Sequence, residues 1–203
     1  MASVGVVKRI AVAGGIGSGK TAVTDYLASR HGAWIVDADL VAREILDPGT
    51  PSYHAVIDAF GTSVVSTSGS IHREILAEIV FTNDAARKRL NSITHPAIGV
   101  EILHRLEASP DVTLAVVALP LFRPFHREAF ALNEVWCVVT SPDEALRRLT
   151  EFRSFSPDDA LSRIRSQMTA SEMSILCDEV IANDGTLEEL HVTVDDLVAK
   201  LGK

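Results

Sequence analysis

The sequence predicts an α/β fold of three layers, a five-stranded parallel sheet covered by helices on both faces, and three observations lead to it. Five short apolar runs alternate with stretches of helical periodicity, the pattern of parallel strands joined by crossover helices. The first run leads directly into a glycine-rich loop and then a helix, "AVAGGIGSGKTAV" at residues 11 to 23. The chain of 203 residues, 47% hydrophobic and 23% charged, is long enough to bury one sizeable core.

Each element has its own local reason. Residues 8 to 13 form a short apolar run that stops at glycines. "TAVTDYLASRHG" after it carries Ala22, Val23, Tyr26 and Leu27 at helical spacing and ends at Gly32. "AWIVDAD" (33 to 39) is a second compact run closed by acids, as expected of a buried parallel strand. Between residues 39 and 109 five stretches, "ADLVAREIL", "PSYHAVIDAF", "REILAEIVF", "AARKRLNSI" and "AIGVEILHRLEA", each have an amphipathic period, so this region is expected to be a helical insert. Within it "GTSVVSTSGS" (61 to 70) is biased toward a turn or hairpin. "VTLAVVALPLF" (112 to 122) and "EVWCVVT" (134 to 140) return to β-type runs, and Ser-Pro-Asp starts open helices at "PDEALRRLTEFR" and "PDDALSRIRSQM". "CDEVIAND" (177 to 184) supplies the fifth strand, and "TLEELHVTVDDLVAKLG" a closing helix.

The glycine-rich loop carries the chemistry. Gly14, Gly19, Lys20 and Thr21 satisfy G-x-x-x-x-G-K-[ST], the loop whose successive backbone N–H groups close around a phosphate chain. With a strand before it and a helix after it, backbone donors, the positive helix terminus and the Lys20 ammonium converge on one anion. Thr21 is then placed to put its hydroxyl on Mg²⁺. Switch proteins, motors and small-molecule kinases share such loops, so a second element must discriminate among them. "IVDAD" provides it: Asp37 and Asp39 end the second strand, and Asp39 is expected to begin the next helix as its N-cap. Ligands of open α/β sheets bind at the carboxyl edge of the strands, where a carboxylate can take a proton from an attacking hydroxyl. The competing reading of both acids is that they cap the helix.

The bulk properties narrow the partners. A formal charge of -8 argues against a broad nucleic-acid footprint, which needs clustered basic charge. A phosphorylated small molecule fits better. Cys137 and Cys177 lack metal-site spacing and read as two core thiols in a reducing, cytoplasmic setting. No apolar stretch reaches the ~18 residues of a membrane span, so no membrane association is expected. His54, His72, His104, His126 and His191 lie on helical or loop segments without paired ligands.

"GGIGSGK", "VDADLVARE", "PGTPSYHAVIDAFG", "ITHPAI", "SQM" and "DEVIANDGTLEEL", in this order and spacing, resemble the dephospho-coenzyme A kinase family from about residue 8 to 200. The resemblance implies a P-loop kinase fold spanning residues 1 to 203 as one domain, with a helical acceptor-binding region at 39 to 110 and a lid at 148 to 175. It implies ATP as donor with Mg²⁺, the ribose 3′-hydroxyl of dephospho-coenzyme A as acceptor, and a monomer or weak homo-oligomer. Gly15, Ile16, Gly17, Ser18, Gly19, Lys20, Thr21 and Ala22 then bind ATP, together with Arg148 and with Asn183 in the adenine loop. Asp39 is the implied general base, and Lys20 and Arg153 act on the transferring group. Arg43, His95 and Phe122 match the acceptor side, with a buried structural histidine as the alternative for His95.

The resemblance is imperfect in two places. After the third strand the family usually has P-L-L-F-E, whereas this chain reads "LPLFRPF", with Arg123 where the acid is common. In the lid, Phe152 takes the place of an arginine, Arg153 falls one residue late, and Ala170 and Met173 stand where basic residues are common. Three expectations stay open: a divergent dephospho-coenzyme A kinase, a kinase for another nucleoside-like hydroxyl, or an ATP-binding regulatory module without transfer activity. Retention of Asp39 counts against the last.

Overall fold

The computed structural model describes residues 7–202, and its residues cluster into two compact units, one running to Asp37 and resuming at Leu106, the other Ala38–Arg105. In the first unit, β1 (Lys8–Gly14), α1 (Lys20–His31) and β2 (Trp34–Asp37) precede the insertion. The second unit holds α2 (Ala38–Glu44), α3 (Pro51–Phe60), a 3₁₀ turn (Thr62–Val64), α4 (Arg73–Thr82) and most of α5 (Asp84–Glu107). The first unit then continues through β3 (Leu114–Leu119), α6 (Phe125–Ala129), β4 (Glu134–Val139), α7 (Pro142–Arg153), α8 (Pro157–Arg165), α9 (Ala170–Ser174), β5 (Glu179–Ala182) and α10 (Leu187–Leu201).

All five expected strands form and pair in parallel, in the order β2-β3-β1-β4-β5. The buried runs explain this order: β3 is buried at every residue, and β1 is fully buried from Ile10 to Ala13, so both must lie inside the sheet. On one face Ile10, Val12, Val116, Trp136, Val138 and Ile181 form a core with Val23 and Leu27 of α1 and Leu190, Val194 and Leu197 of α10. On the other face Ala11, Ala13, Val117, Val135 and Cys137 are equally buried, and α9 packs on β4. The chain leaves β1 toward β2 on one side and later adds β4 on the other. The crevice at the carboxyl end of β1 is thus the topological switch point, where open α/β sheets bind ligands.

In the second unit Tyr53, Val56, Val64, Ile71 and Leu76 form a separate core. Its biased segment is a small hairpin: Val65 and Ile71 bridge antiparallel, Gly69 takes a φ of +85°, and the Ser66 amide donates to the Ser70 carbonyl at 2.8 Å. Arg105 of α5 pairs with Glu44 of α2 at 2.6 Å and with Glu101 at 2.7 Å, joining the last helix of this unit to its first.

Three local expectations need correction. The last two helical stretches are one helix of 24 residues, α5, with Pro96 inside it: the proline interrupts the hydrogen-bond ladder without ending the helix. Asp39 is not an N-cap, because α2 begins one residue earlier, at Ala38, and puts Asp39 in its first turn. The cysteines are not two separate core thiols: Cys137 and Cys177 lie side by side, with Cα atoms 5.9 Å apart. Residues 40 apart in sequence meet because β4 and β5 are neighbours, which spacing alone does not reveal. Among the described residues no helix is long and apolar enough to cross a membrane.

Candidate active site

Gly14 to Gly19 make the turn from β1 into α1, and glycine is required at several of these positions for stated reasons. Gly17 and Gly19 take φ of +77° and +91°, the left-handed region that side chains resist. A Cβ on Gly14 would sit 2.9 Å from the Val138 carbonyl oxygen, one on Gly17 would sit 3.0 Å from the Ala145 carbonyl, and one on Gly19 would overlap Asn183 Nδ2. The loop therefore lies against β4, α7 and the end of β5 at distances only bare backbone allows.

Two side chains grip this loop through its carbonyls. Arg148 of α7 donates from Nη1 to the Gly17 and Ser18 carbonyls, 3.3 Å each, and from Nη2 to the Asn183 carbonyl at 2.7 Å. Asn183, 5% exposed, donates from Nδ2 to the Ser18 carbonyl at 2.7 Å. A trans peptide plane aims its C=O and N–H in opposite directions, so tying down the Ser18 carbonyl turns the Gly19 amide the other way. Arg148 and Asn183, expected as ATP contacts, are thus placed as a brace that fixes the loop's peptide planes. Asp184 completes it by accepting from the Ser141 amide at 2.7 Å and the Thr140 hydroxyl at 2.8 Å, contacts that hold its carboxyl below the usual range.

Glu144 sets the direction of Arg148. It accepts from Arg148 Nε at 2.8 Å and from both Nε and Nη2 of Arg147, at 2.8 and 2.7 Å. The Arg147 hydrogen bonds, against some cost of burial and aided by Arg148, lower its pKa from 4.5 to about 2. A carboxyl depressed on folding contributes stability that is complete above its unfolded pKa and lost as pH falls through the folded value. The melting temperature of wild-type protein should thus exceed that of Glu144→Gln by a constant margin above about pH 5.5. That margin should close between pH 4.5 and about 2 and shrink in high salt, as thermal melts over this range will show.

A cavity of about 520 Å³ opens beside the loop, lined among others by Gly15, Ile16, Thr140, Ile164, Arg165 and Met173. Its size and mainly apolar wall suit a small organic ligand anchored by a few polar groups. Lys20 opens α1 half-buried, Thr21 follows it exposed, and the first turn of α1 contains no acid to offset its positive end. Ser18 Oγ is buried on this wall with no hydrogen-bond partner. Arg165 and Gln167 also border the cavity and were missed as candidates. Their signal, one polar residue at the end of α8 and one just past it, does not distinguish them from a solvated helix end.

The other expected residues are placed as follows. Arg153 ends α7, exposed, while Phe152, 72% exposed, lies 5.6 Å beneath the Arg147 guanidinium. Met173 is only 5% exposed, which accounts for an apolar residue at that position. Ala170 is the first residue of α9. Phe122 is 3% exposed, with its ring beside His126. In the second unit, Asp39 and Arg43 lie four residues apart on α2, on one face and both exposed. His95 is exposed on α5, so the alternative of a buried structural histidine does not hold.

Known proteins share this arrangement. The family model described as dephospho-CoA kinase matches residues 8–189. A dephospho-CoA kinase of Frankia casuarinae is 40% identical over 189 residues, 93% of this chain and 81% of its own. A solved structure from Thermus thermophilus superposes with a TM-score of 0.78 at 26% identity, covering 96% of this chain and 98% of its own. A dephospho-CoA kinase structure from Campylobacter jejuni gives 0.62 at 25% identity, covering 95% of this chain and 96% of its own. With its phosphate loop, its five-stranded parallel sheet and a family match across nearly its whole length, this chain belongs to the dephospho-CoA kinase family.

Proposed function

We propose that this enzyme transfers the γ-phosphoryl group of ATP to the ribose 3′-hydroxyl of dephospho-coenzyme A, completing coenzyme A. The observation that supports this reading is the glycine-rich turn from β1 into α1, its Ser18 carbonyl held by Arg148 and Asn183 and its end opening α1 at Lys20, a turn of the kind that binds phosphate. The acceptor oxygen attacks the γ-phosphorus, the bond from phosphorus to the β,γ-bridging oxygen breaks, and ADP leaves with the electron pair. Asp39 takes the proton of the acceptor hydroxyl. Lys20 and the loop amides hold the phosphates, and Arg153 and Arg165 supply positive charge from the lid. Asn183 and Arg148 keep the loop in shape, and Arg43 and His95, both exposed, serve the acceptor. Phe122, being buried, backs its segment from within.

Mg²⁺ fits this site as an ion that arrives with the nucleotide. Among the described residues no group of three His, Cys, Asp or Glu could hold a metal, whereas Thr21 offers an exposed hydroxyl beside Lys20. When bound, the ion supplies charge neutralisation of the phosphate oxygens.

The test is a product assay with MgATP and a panel of acceptors: dephospho-coenzyme A, adenosine and other nucleosides. Phosphorylated product from dephospho-coenzyme A at a kcat/KM far above that of any nucleoside is expected. Preference for a plain nucleoside would assign the departures at Arg123 and Ala170 to a changed acceptor.

A further inference from the structure

Gln167 lies two residues beyond α8, and its side chain reaches the phosphate loop. Its Oε1 accepts a hydrogen bond from the Ile16 amide at 2.7 Å, across 151 residues of sequence. The approach depends on Gly15, because a Cβ there would stand 2.8 Å from the same oxygen. The backbone of Gln167 is held on both sides. Its amide donates to the Ile164 carbonyl at 3.2 Å, and Thr169 begins α9 with a capping box closed by Glu172. The carboxamide is thus delivered to the loop by two capped helices and not by a free-swinging segment.

The oxygen it delivers is a neutral acceptor on an amide that belongs to an anion site. The same cavity contains Ile16, Gln167, Arg165 and the buried, unpartnered hydroxyl of Ser18. One N–H of the glycine-rich loop is therefore already satisfied, by a neutral carboxamide oxygen. Gln167 is exposed, so this bond faces water and can exchange.

We propose that Gln167 is a latch: in the nucleotide-free enzyme its carboxamide occupies the Ile16 amide as a stand-in for phosphate and holds the lid on the loop until a polyphosphate displaces it. This rests on the assignment of the loop as the nucleotide phosphate site. The latch makes the enzyme select for ligands with phosphate to spend. An anion replaces a neutral acceptor with a stronger, charge-assisted one, while a ligand lacking phosphate gains nothing by opening it. The apparent affinity of such a site falls by the fraction of molecules in which the latch is open.

Calorimetric titration of the full-length protein with inorganic pyrophosphate, ADP and adenosine tests this, using Gln167→Met and Gln167→Glu. Methionine keeps the length of the side chain but cannot serve as a strong acceptor. Its Kd for pyrophosphate and ADP should fall about three- to tenfold, the worth of one net hydrogen bond, with adenosine unchanged as a check on folding. Glutamate supplies a charged acceptor on the same amide and should raise both phosphate-ligand Kd values about tenfold or more. A methionine variant that binds the phosphate ligands no tighter than wild type, or a glutamate variant that binds them as well, overturns the latch. Failure of the wild-type protein to bind either phosphate ligand instead contradicts the phosphate site itself, and the latch with it.

Discussion

Lys20→Ala is expected to reduce kcat/KM by about 10²-fold or more while leaving the melting temperature close to wild type. Lys20 is the first residue of α1 and follows Gly19, whose φ of +91° turns the chain into the helix. Alanine is the strongest helix former, so the replacement keeps the helix start while removing the charge proposed to act on the transferring phosphoryl group. The first turn of α1 contains no acidic residue, so the lysine and the helix terminus act with the same sign on one anion. The loss should therefore appear in the chemical step as well as in ATP binding. Steady-state kinetics and a thermal melt on the same preparation decide it, and near-normal turnover would remove the phosphate loop from the mechanism.

For Asp39→Asn the expected result is a fall in kcat of about 10²- to 10⁴-fold with little change in ATP affinity. Asparagine keeps the size of the side chain but cannot take the proton. The position of Asp39 makes the experiment discriminating. In the first turn of α2 a carboxylate favours the helix by about 0.3–1 kcal/mol through the dipole. A 10²-fold loss of rate corresponds to roughly 2.7 kcal/mol of transition-state stabilisation. The helix dipole does not account for an effect of that size. A variant that loses stability and activity in parallel would make Asp39 a helix residue and not the base. Arg43, on the same face of α2, should then be tested next as the acceptor contact.

Much of this architecture was legible because it rests on local rules. The strands are continuous apolar runs, Ser141, Ser156, Thr169 and Thr186 each cap a helix, and the loop glycines sit where backbone approaches backbone. What escaped is non-local. The Cys137–Cys177 pair depends on the adjacency of β4 and β5, and the α5 helix continues through Pro96 against the local preference of the chain. In the site, the glycines and Lys20 announce themselves by spacing, whereas the grip of Arg148 and Asn183 on the loop carbonyls spans 130 residues or more. Gln167 is the extreme case: nothing in "SQM" shows that its oxygen rests on Ile16.

The most direct test of the central claim is ³¹P NMR of the product formed from MgATP and dephospho-coenzyme A by wild-type protein and by Asp39→Asn. A new phosphomonoester resonance assigned to the ribose 3′ position, appearing with ADP in equal amount and nearly absent with Asp39→Asn, is the predicted result. ADP accumulating with inorganic phosphate alone, or a phosphoester on any other oxygen of the acceptor, would contradict it.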